Sequence, residues 1–255
     1  MNLYQYKQEK ISKEFLLTTG YERLYRDDQF KMDNECVFLM DVSEADLPLG
    51  KTLVYNLRTG ISIDPRPTRQ LVNEFYQMNG IGFSLAKVLA DHFGIKRYIP
   101  FIHGYTVYMP MTGATRNNAS WIAPQLAKEA KQVNKKVRLT TLNNYEIEID
   151  FPKGDFEQRL HDVALLSKAS FLFFKYFVNA GSCNLQPPAE LGLLAKFENC
   201  QCEKHLRMLK EMYNFRNMIL WMKTAYLLNL GIGAIERDEL IKYYNQNLAR
   251  FKRNY

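Results

Sequence analysis

The feature that constrains the fold most is a change of pattern near Asp155. Before it, short apolar runs alternate with glycine, proline and asparagine, which is typical of β-strands joined by turns. After it, large apolar residues recur at helical spacing and predict one long helix over 156–180. The residues that define its apolar stripe are Leu160, Val163, Ala164, Phe171, Phe174 and Phe177. Strands followed by helices predict an α+β fold, with antiparallel hairpins first and a helical C-terminal region after them.

Four runs in the first part have the length and composition of strands. The runs 36–40 and 53–57 are apolar and rich in β-formers, and we expect both in the core. Residues 137–142 and 145–149 flank Asn143-Asn144, and asparagine tolerates the left-handed backbone of a tight turn. The second pair of runs therefore predicts a β-hairpin.

A pair of helices is predicted between these strands. Thr68 has the residue type of a helix cap, and an apolar face follows it over 68–78. A second amphipathic helix is expected over 84–93, with Lys87 on it and Lys96-Arg97 just beyond. The pair loosely matches a helix-turn-helix, whose second helix would enter a DNA groove. The alternative is a helical hairpin that serves only as scaffold.

The chain also shows a candidate domain boundary. Residues 181–188 contain glycine, serine and two prolines, which is typical of a linker. We therefore expect an N-terminal domain over 1–180 and a helical extension over 189–255. The segments 189–229 and 234–253 predict two or three helices with strongly apolar faces, suited to self-association or to binding a partner.

Positive charge is concentrated in the middle of the chain. The formal net charge is +7, and the segment 64–140 alone contains eleven lysines and arginines against four acids. A local basic excess is expected of a polyanion binder, because each cation that neutralises a phosphate releases a condensed counterion. Residues 128–138, with five bases and one acid, predict a short helix or linker that would clamp phosphates. Solvated surface charge explains the same counts, so charge alone leaves both interpretations open.

The stretch 98–122 combines two extended, aromatic-rich runs with a polar loop. Prolines limit these runs to short or edge strands, and a bend containing proline and glycine follows them. The loop then presents Arg116, Asn117 and Asn118 just ahead of Trp121. We interpret the loop as a contact surface and Trp121 as the structural anchor that packs beneath it. The alternative is an ordinary hairpin whose tryptophan fills the core.

The order of residues in this stretch resembles a known family. An aromatic-rich strand, a proline, Thr115-Arg116 and Trp121-Ile122 follow one another as in the bacterial competence transcription factor ComK family. The strand pair within 137–150 and the helix that opens at Asp155 continue the similarity, which covers about 36–172. The tail has no counterpart in the family, and the family's degradation-adaptor motif has no clear match here.

The resemblance implies a sequence-specific transcriptional activator that binds double-stranded DNA. The family recognises A/T-rich promoter boxes largely through the minor groove, with several protomers on neighbouring helical turns. Arginine is attracted by the negative potential of narrow A-tracts, and asparagine can donate to the acceptors of A·T pairs. The candidate DNA-binding residues are Arg66, Arg69, Lys87, Lys96, Arg97, Arg116, Asn117, Asn118, Lys135, Lys136 and Arg138. The expected partners are A/T-rich duplex DNA, further copies of this chain, and a proteolysis adaptor or other regulatory protein.

Two other functions fit the same sequence. The first is a protein-interaction module whose helical tail binds a partner, while the basic surface only sets solubility. The second is RNA binding, in which exposed aromatic rings such as Tyr98, Tyr105 and Tyr108 would stack on unpaired bases. Duplex binding with a preference for A/T-rich DNA separates the activator hypothesis from both.

No arrangement of residues indicates an enzyme or a cofactor. The four histidines are scattered, and the sequence has neither a nucleophile elbow nor a P-loop. Cys200, Cys202 and His205, with Cys183 upstream, supply four zinc-ligand side chains, but their spacing matches no standard pair. We therefore interpret the cysteines as free thiols and expect no metal.

The sequence predicts a cytoplasmic protein without a membrane segment. The N-terminus mixes charged and aromatic residues and lacks the apolar core of a secretory signal. The apolar stretch 218–235 contains Lys223 near its centre, which would cost about 3 kcal/mol in a bilayer. A buried or dimer-forming helix is the preferred interpretation of that stretch.

Overall fold

All the described strands lie before residue 155 and form two β-sheets, and the longest described helix begins just after it. The computed structural model describes residues 6, 9–45, 47–78, 82–113 and 118–229, together with positions 239, 242 and 246. The strands are β1 (Lys10–Ser12), β2 (Cys36–Asp41), β3 (Thr52–Asn56), β4 (Gly60–Asp64), β5 (Phe101–His103), β6 (Thr106–Pro110), β7 (Trp121–Ile122), β8 (Ala127–Val133), β9 (Lys136–Thr141) and β10 (Glu146–Asp150). The helices are α1 (Lys13–Leu17), α2 (Thr68–Met78), α3 (Gly82–His92), α4 (Phe156–Ala180), α5 (Glu203–Met212) and α6 (Phe215–Asn229). The predicted α+β class, with hairpin sheets first and helices after them, is confirmed.

The larger sheet has the strand order β4-β3-β2-β7-β6-β5 and is buried on both faces. Successive side chains of a strand point to opposite faces, so Leu53 and Tyr55 enter the main core while Val54 faces a second cluster under α2. Burial on two sides explains why β2 and β3 read as continuous apolar runs rather than as alternating ones. The strands predicted over 36–40 and 53–57 are therefore confirmed.

The smaller sheet has the order β1-β10-β9-β8, with β1 parallel to β10 and the other pairs antiparallel. The predicted hairpin is confirmed as β9 and β10, and Asn144 in its turn has a φ of 67°. The sequence prediction for 128–138 was wrong, because this segment forms β8 and the start of β9 instead of a helix or linker. Its residues favour a helix locally, yet pairing with β9 decides their conformation. Lysines on an exposed edge strand also discourage pairing with other chains.

The helix pair α2 and α3 is confirmed within two residues, but its details differ from the prediction. Thr68 is the first residue of α2 rather than a cap, and its buried hydroxyl has no hydrogen-bond partner among the described residues. The scaffold interpretation of the pair is favoured over entry of α3 into a DNA groove. Helix α3 packs against α4, α6 and β5 through buried residues such as Leu85. On the exposed side of α3, Lys87 is followed one turn later by the acidic Asp91.

The long helix α4 has the predicted bounds and forms the centre of the main core. It begins at an N-cap, Asp155, whose carboxylate accepts a hydrogen bond from the backbone N–H of Gln158. Among the described helices, α4 is long and apolar enough to cross a membrane by length and composition alone. Half of the relevant window is buried inside the protein, and the core helix of a soluble protein passes the same test.

The described part of the tail packs on this body. Leu193 and Leu194 in the 3-10 helix Gly192–Phe197, together with Met208 and Trp221, join the main cluster that also contains β-sheet residues. The predicted linker over 181–188 is mostly exposed and forms neither helix nor strand. The division into two domains stays a prediction. Except for positions 239, 242 and 246, the helix predicted over 234–253 lies outside the described residues.

Gly192 offers a test of how tightly the tail docks. It has a φ of 53°, and a Cβ there would lie 2.5 Å from the carbonyl oxygen of Gln125. Gly192→Ala should therefore lower the free energy of unfolding by more than about 2 kcal/mol, from left-handed strain plus backbone displacement. The matched control is Gly94→Ala, with a φ of 73° and open space around the new Cβ, which should show strain alone. If urea unfolding showed equal losses of unfolding free energy for Gly192→Ala and Gly94→Ala, the close contact between Gly192 and Gln125 would be contradicted.

Candidate nucleic-acid interface

A groove lies where α2, the start of α3, the connection 94–100 and the ends of β6 and β7 meet. Its volume is about 610 Å³. The described residues that line it are Arg69, Val72, Asn73, Tyr76, Phe83, Lys96, Arg97, Tyr98, Ile99, Pro110, Gly113, Ala119 and Trp121. Three of the sequence-predicted DNA-binding residues and the predicted anchor therefore meet in one place.

The charge of this groove is positive. Arg69, Lys96 and Arg97 are exposed, and no acidic residue occurs among the described residues of the lining. None of the three cations forms an ion pair with a described residue. Cations raise the local electrostatic potential and concave walls focus it, although acidic residues line the adjoining cavities: Asp41 and Glu44 beside Arg69, and Asp155 and Asp162 beside Lys96 and Arg97. The groove is therefore suited to an anionic ligand.

Aromatic side chains form the floor and one rim of the groove. The Tyr76 ring lies 4.9 Å from Phe83 and 4.7 Å from Phe101, measured between ring centroids. Phe83 is 40% exposed, whereas Trp121 is buried in β7 between β2 and β6. Burial raises the pKa of the Tyr76 hydroxyl, and neither this hydroxyl nor the Trp121 indole N–H has a hydrogen-bond partner among the described residues. Two polar atoms at the base of the groove thus lack a described partner.

A buried arginine from α4 supports the wall of the groove. The Arg159 guanidinium lies 3.7 Å from the centroid of the Tyr98 ring and donates to the backbone carbonyls of Pro110 and Met111. Tyr98 has a φ of 56°, a left-handed conformation that is uncommon for an aromatic residue. Burial lowers the pKa of Arg159. No sequence pattern assigns Arg159 to the site, because only the fold brings α4 beside residue 98.

A second cavity of about 750 Å³ adjoins the groove and shares Arg69, Tyr98 and Gly113 with it. Asn118 lines this cavity and donates from its amide to Ser43 Oγ over 3.2 Å. The cavity also contains acidic residues, Asp41 and Glu44, and the basic Lys153. Arg116 and Asn117, the other candidates from the polar loop, lie outside the described residues.

Arg66 forms contacts inside the protein, and its DNA contact stays a prediction. Its guanidinium donates to both carboxylate oxygens of the buried Asp64, to Glu74 on α2 and to the carbonyl of Phe30. The hydrogen bond to Asp64 raises the pKa of Arg66. With its donors engaged inside the protein, Arg66 joins α2 to β4. Counting charges along the sequence did not reveal these acidic partners.

Lys136 and Arg138 lie in the smaller sheet and are also engaged. Both donate to Glu148 on β10, over 3.1 and 3.0 Å, and Lys10 on β1 forms a third ion pair with the same carboxylate. Burial raises the pKa of Glu148, but the three cationic hydrogen bonds outweigh this and lower it to about 2. These two candidates therefore pair within the smaller sheet and do not line the groove, and their DNA contact stays a prediction.

The remaining predicted residues do not line the groove. Lys87 is exposed on α3, and Lys135 is exposed in the turn between β8 and β9. The suggestion that Tyr105 and Tyr108 stack on RNA bases is wrong, since both rings are buried. The Tyr105 hydroxyl donates to Glu198, and the Tyr108 hydroxyl donates to the carbonyl of Asp33. Of the three tyrosines, Tyr98 alone lines the groove.

Comparisons of the chain with protein-family models, with curated proteins and with solved structures find no match. The resemblance over 36–172 therefore rests on the quoted residues. Its implications for function belong to a proposal.

The Glu148 ion-pair network predicts a pH dependence of stability. The pKa of Glu148 is about 2 in the folded protein and about 4.3 in the unfolded chain. The stabilisation from the ionised carboxylate is therefore complete above about pH 5 and is lost as the pH falls towards 2. Glu148→Gln should lower the free energy of unfolding by about 1–3 kcal/mol at neutral pH, and the difference from wild type should shrink with acidification. The control is Glu146→Gln, an exposed residue of the same strand. If the difference in unfolding free energy between Glu148→Gln and wild type stayed constant down to pH 2, it would contradict a stabilising role of this network.

Proposed function

We propose that the protein is a sequence-specific, double-stranded DNA-binding transcriptional activator of the competence type. Its targets would be A/T-rich promoter boxes, contacted largely through the minor groove. The observation that supports this best is the convergence of Arg69, Lys96 and Arg97 in one groove without a described acidic residue. The resemblance over 36–172 narrows the ligand from a polyanion to promoter DNA.

The proposal assigns two kinds of contact to different residues. Arg69, Lys96 and Arg97 would contact phosphates, which fixes position and orientation but carries no sequence information. Arg116 and Asn117 are assigned to base reading on the chemistry of their side chains, as arginine and asparagine suit A/T-rich minor grooves. Arg159 would act indirectly, because it holds Tyr98 and the C-terminal end of β6 in place.

Single-stranded nucleic acid is the second candidate ligand. Phe83 is 40% exposed at the rim and its ring is 4.9 Å from Tyr76, a platform on which an unpaired base could stack. Stacking on an aromatic side chain contributes about 1–3 kcal/mol per base and requires no fixed sequence. This alternative predicts a preference for unpaired strands over any duplex.

A gel-shift series separates the candidates. The full chain is titrated against an A/T-rich duplex, a G/C-rich duplex and single-stranded RNA at several salt concentrations. Tight binding that prefers the A/T-rich duplex supports the activator, and a preference for RNA supports stacking. If none of the probes binds, the partner-binding interpretation of the tail is favoured, since Leu206 on α5, Tyr213 just after it and Tyr226 on α6 are exposed. The cytoplasmic location, self-association and a proteolysis adaptor stay predictions.

The groove cations make the sharpest mutational prediction. Arg69→Ala combined with Arg97→Ala should weaken binding to all duplexes and flatten the plot of log affinity against log salt by about two units, one per lost phosphate contact. The melting temperature should hardly change, because neither side chain forms an ion pair with a described residue. Arg66→Ala should instead lower the melting temperature, because it breaks the pair with buried Asp64.

A control charge removal gives the reference for this experiment. Lys210→Ala removes a positive charge from the exposed side of α5, away from the groove lining. It should leave both the affinity and the salt slope as in wild type. An unchanged salt slope in a fully folded Arg69→Ala/Arg97→Ala variant would remove this groove from the DNA-binding surface.

A further inference from the structure

Four side chains of metal-ligand type converge where α5 meets α4. His161 comes from α4, Cys200 from the loop before α5, and Cys202 and His205 from the N-terminal end of α5. One ligand atom from each residue lies within 4.8 Å of the other three. Cys183, the fourth residue of the set considered from sequence, is exposed and does not belong to this cluster. The fourth member of the cluster is instead His161.

The distances within this cluster suit a common tetrahedral centre. Cys202 Sγ lies 3.2 Å from His161 Nε2 and 3.3 Å from His205 Nδ1, and Cys200 Sγ lies 3.6 Å from His161 Nε2. Zinc bonds of about 2.3 Å to sulfur and about 2.0 Å to nitrogen, at tetrahedral angles, place the two ligand atoms about 3.5 Å apart. Thiol–imidazole hydrogen bonds could explain each pair separately, but a shared centre also explains why all four atoms gather.

Local structure holds the ligands in this arrangement. Cys202 is the N-cap of α5, and its extended backbone brings Sγ to the same side as His205 three residues later. His205 is 1% exposed, and the Phe197 ring lies against His161 with 5.2 Å between the ring centroids. His205 is therefore shielded from solvent, whereas His161, Cys200 and Cys202 are partly buried.

A carboxylate lies near the cluster on the α4 side, although His161 Nδ1 has no hydrogen-bond partner among the described residues. The second ring nitrogen of His161, Nδ1, faces Asp162 Oδ1 at 3.7 Å. Lys204 of α5 and Gln158 of α4 both donate to the same carboxylate oxygen, over 3.2 and 3.3 Å. Metal-bound histidines commonly direct their free ring N–H to a carboxylate, which orients the ring and increases its basicity.

We propose that Nε2 of His161, Sγ of Cys200, Sγ of Cys202 and Nδ1 of His205 bind one zinc ion as a structural site. Two thiolates and two imidazoles form a tetrahedral donor set of the kind that zinc prefers. The two thiols release their protons to solvent as the metal binds, so the ion and its ligands together carry no net charge. Four protein ligands leave no coordination position for a substrate, so the role is structural.

The consequence of this site is attachment of the tail to the body. Cys200 and His161 are 39 residues apart in sequence, and the ion would close that loop through the exposed segment 181–188. From α5 the chain continues to α6, which packs on α3 with Trp221 beside His92. Zinc would thus fix the start of the C-terminal helices on α4, whatever ligand the groove binds.

Metal content is the direct test of this proposal. Full-length protein purified without chelator should contain about one zinc ion per chain by elemental analysis, and Cys183→Ser should retain it. Cys202→Ser should reduce the content to about a tenth or less, because it removes a direct ligand. Asp162→Asn keeps all four ligands and should weaken zinc binding by about 10–100-fold in a chelator competition.

Cobalt substitution of the wild-type chain keeps the test decisive even if the ligand variants fail to fold. After removal of zinc, added Co²⁺ should give the visible bands of tetrahedral cobalt and a near-ultraviolet thiolate-to-cobalt band. Chelation should also lower the melting temperature, and added zinc should restore it. A folded wild-type chain that holds no zinc and gives no tetrahedral cobalt spectrum would overturn the proposal. Equal zinc loss in Cys183→Ser and Cys202→Ser would do the same.

Discussion

Burial of one cation, Arg159, determines how the helical and β-sheet parts of this protein fit together. Its guanidinium donates to the carbonyls of Pro110, Met111 and Lys153, and its faces contact the Tyr98 and Phe151 rings at 3.7 and 4.3 Å. A buried charge is costly unless its donors are satisfied, and these partners come from separate segments of the chain. The larger sheet, the entry to α4 and the groove wall must therefore be placed correctly together.

The same interaction explains the unusual backbone at Tyr98. A left-handed conformation costs an ordinary residue about 1–2 kcal/mol, and it persists when the surroundings over-determine it. Here the ring is held under the Arg159 guanidinium, while the neighbouring Arg97 and Lys96 are left on the open side of the groove. The cation–π contact between Arg159 and Tyr98 and the position of Lys96 and Arg97 in the groove thus depend on the same local backbone geometry.

The success of each sequence prediction depended on whether the determining interactions were local. The bounds of α4 followed from Asp155 and a regular apolar stripe, and Asn144 marked the β9–β10 turn, because both signals lie within the element itself. The strand β8 was missed since its pairing with β9 overrides a helix-forming composition. For the site, Lys96 and Arg97 adjoin each other, but a charge count does not show which charges pair: Arg66 pairs with Asp64 two residues away, and Glu148 pairs with Lys10 on a strand far along the chain. His161 was missed for the same reason, at 39 residues from Cys200.

The opening turns of α4 carry both features on which the proposals depend. Arg159 and His161 are two residues apart, which is about 200° around a helix, so their side chains leave α4 on nearly opposite sides. One side supports the groove through Tyr98, and the other meets Cys202 at the start of α5. A rigid helix that is anchored in the core can hold two such contacts without either disturbing the other. The groove and the tail are therefore positioned by the same element, and the proposed ligands, a polyanion and a metal ion, would act on separate faces of it.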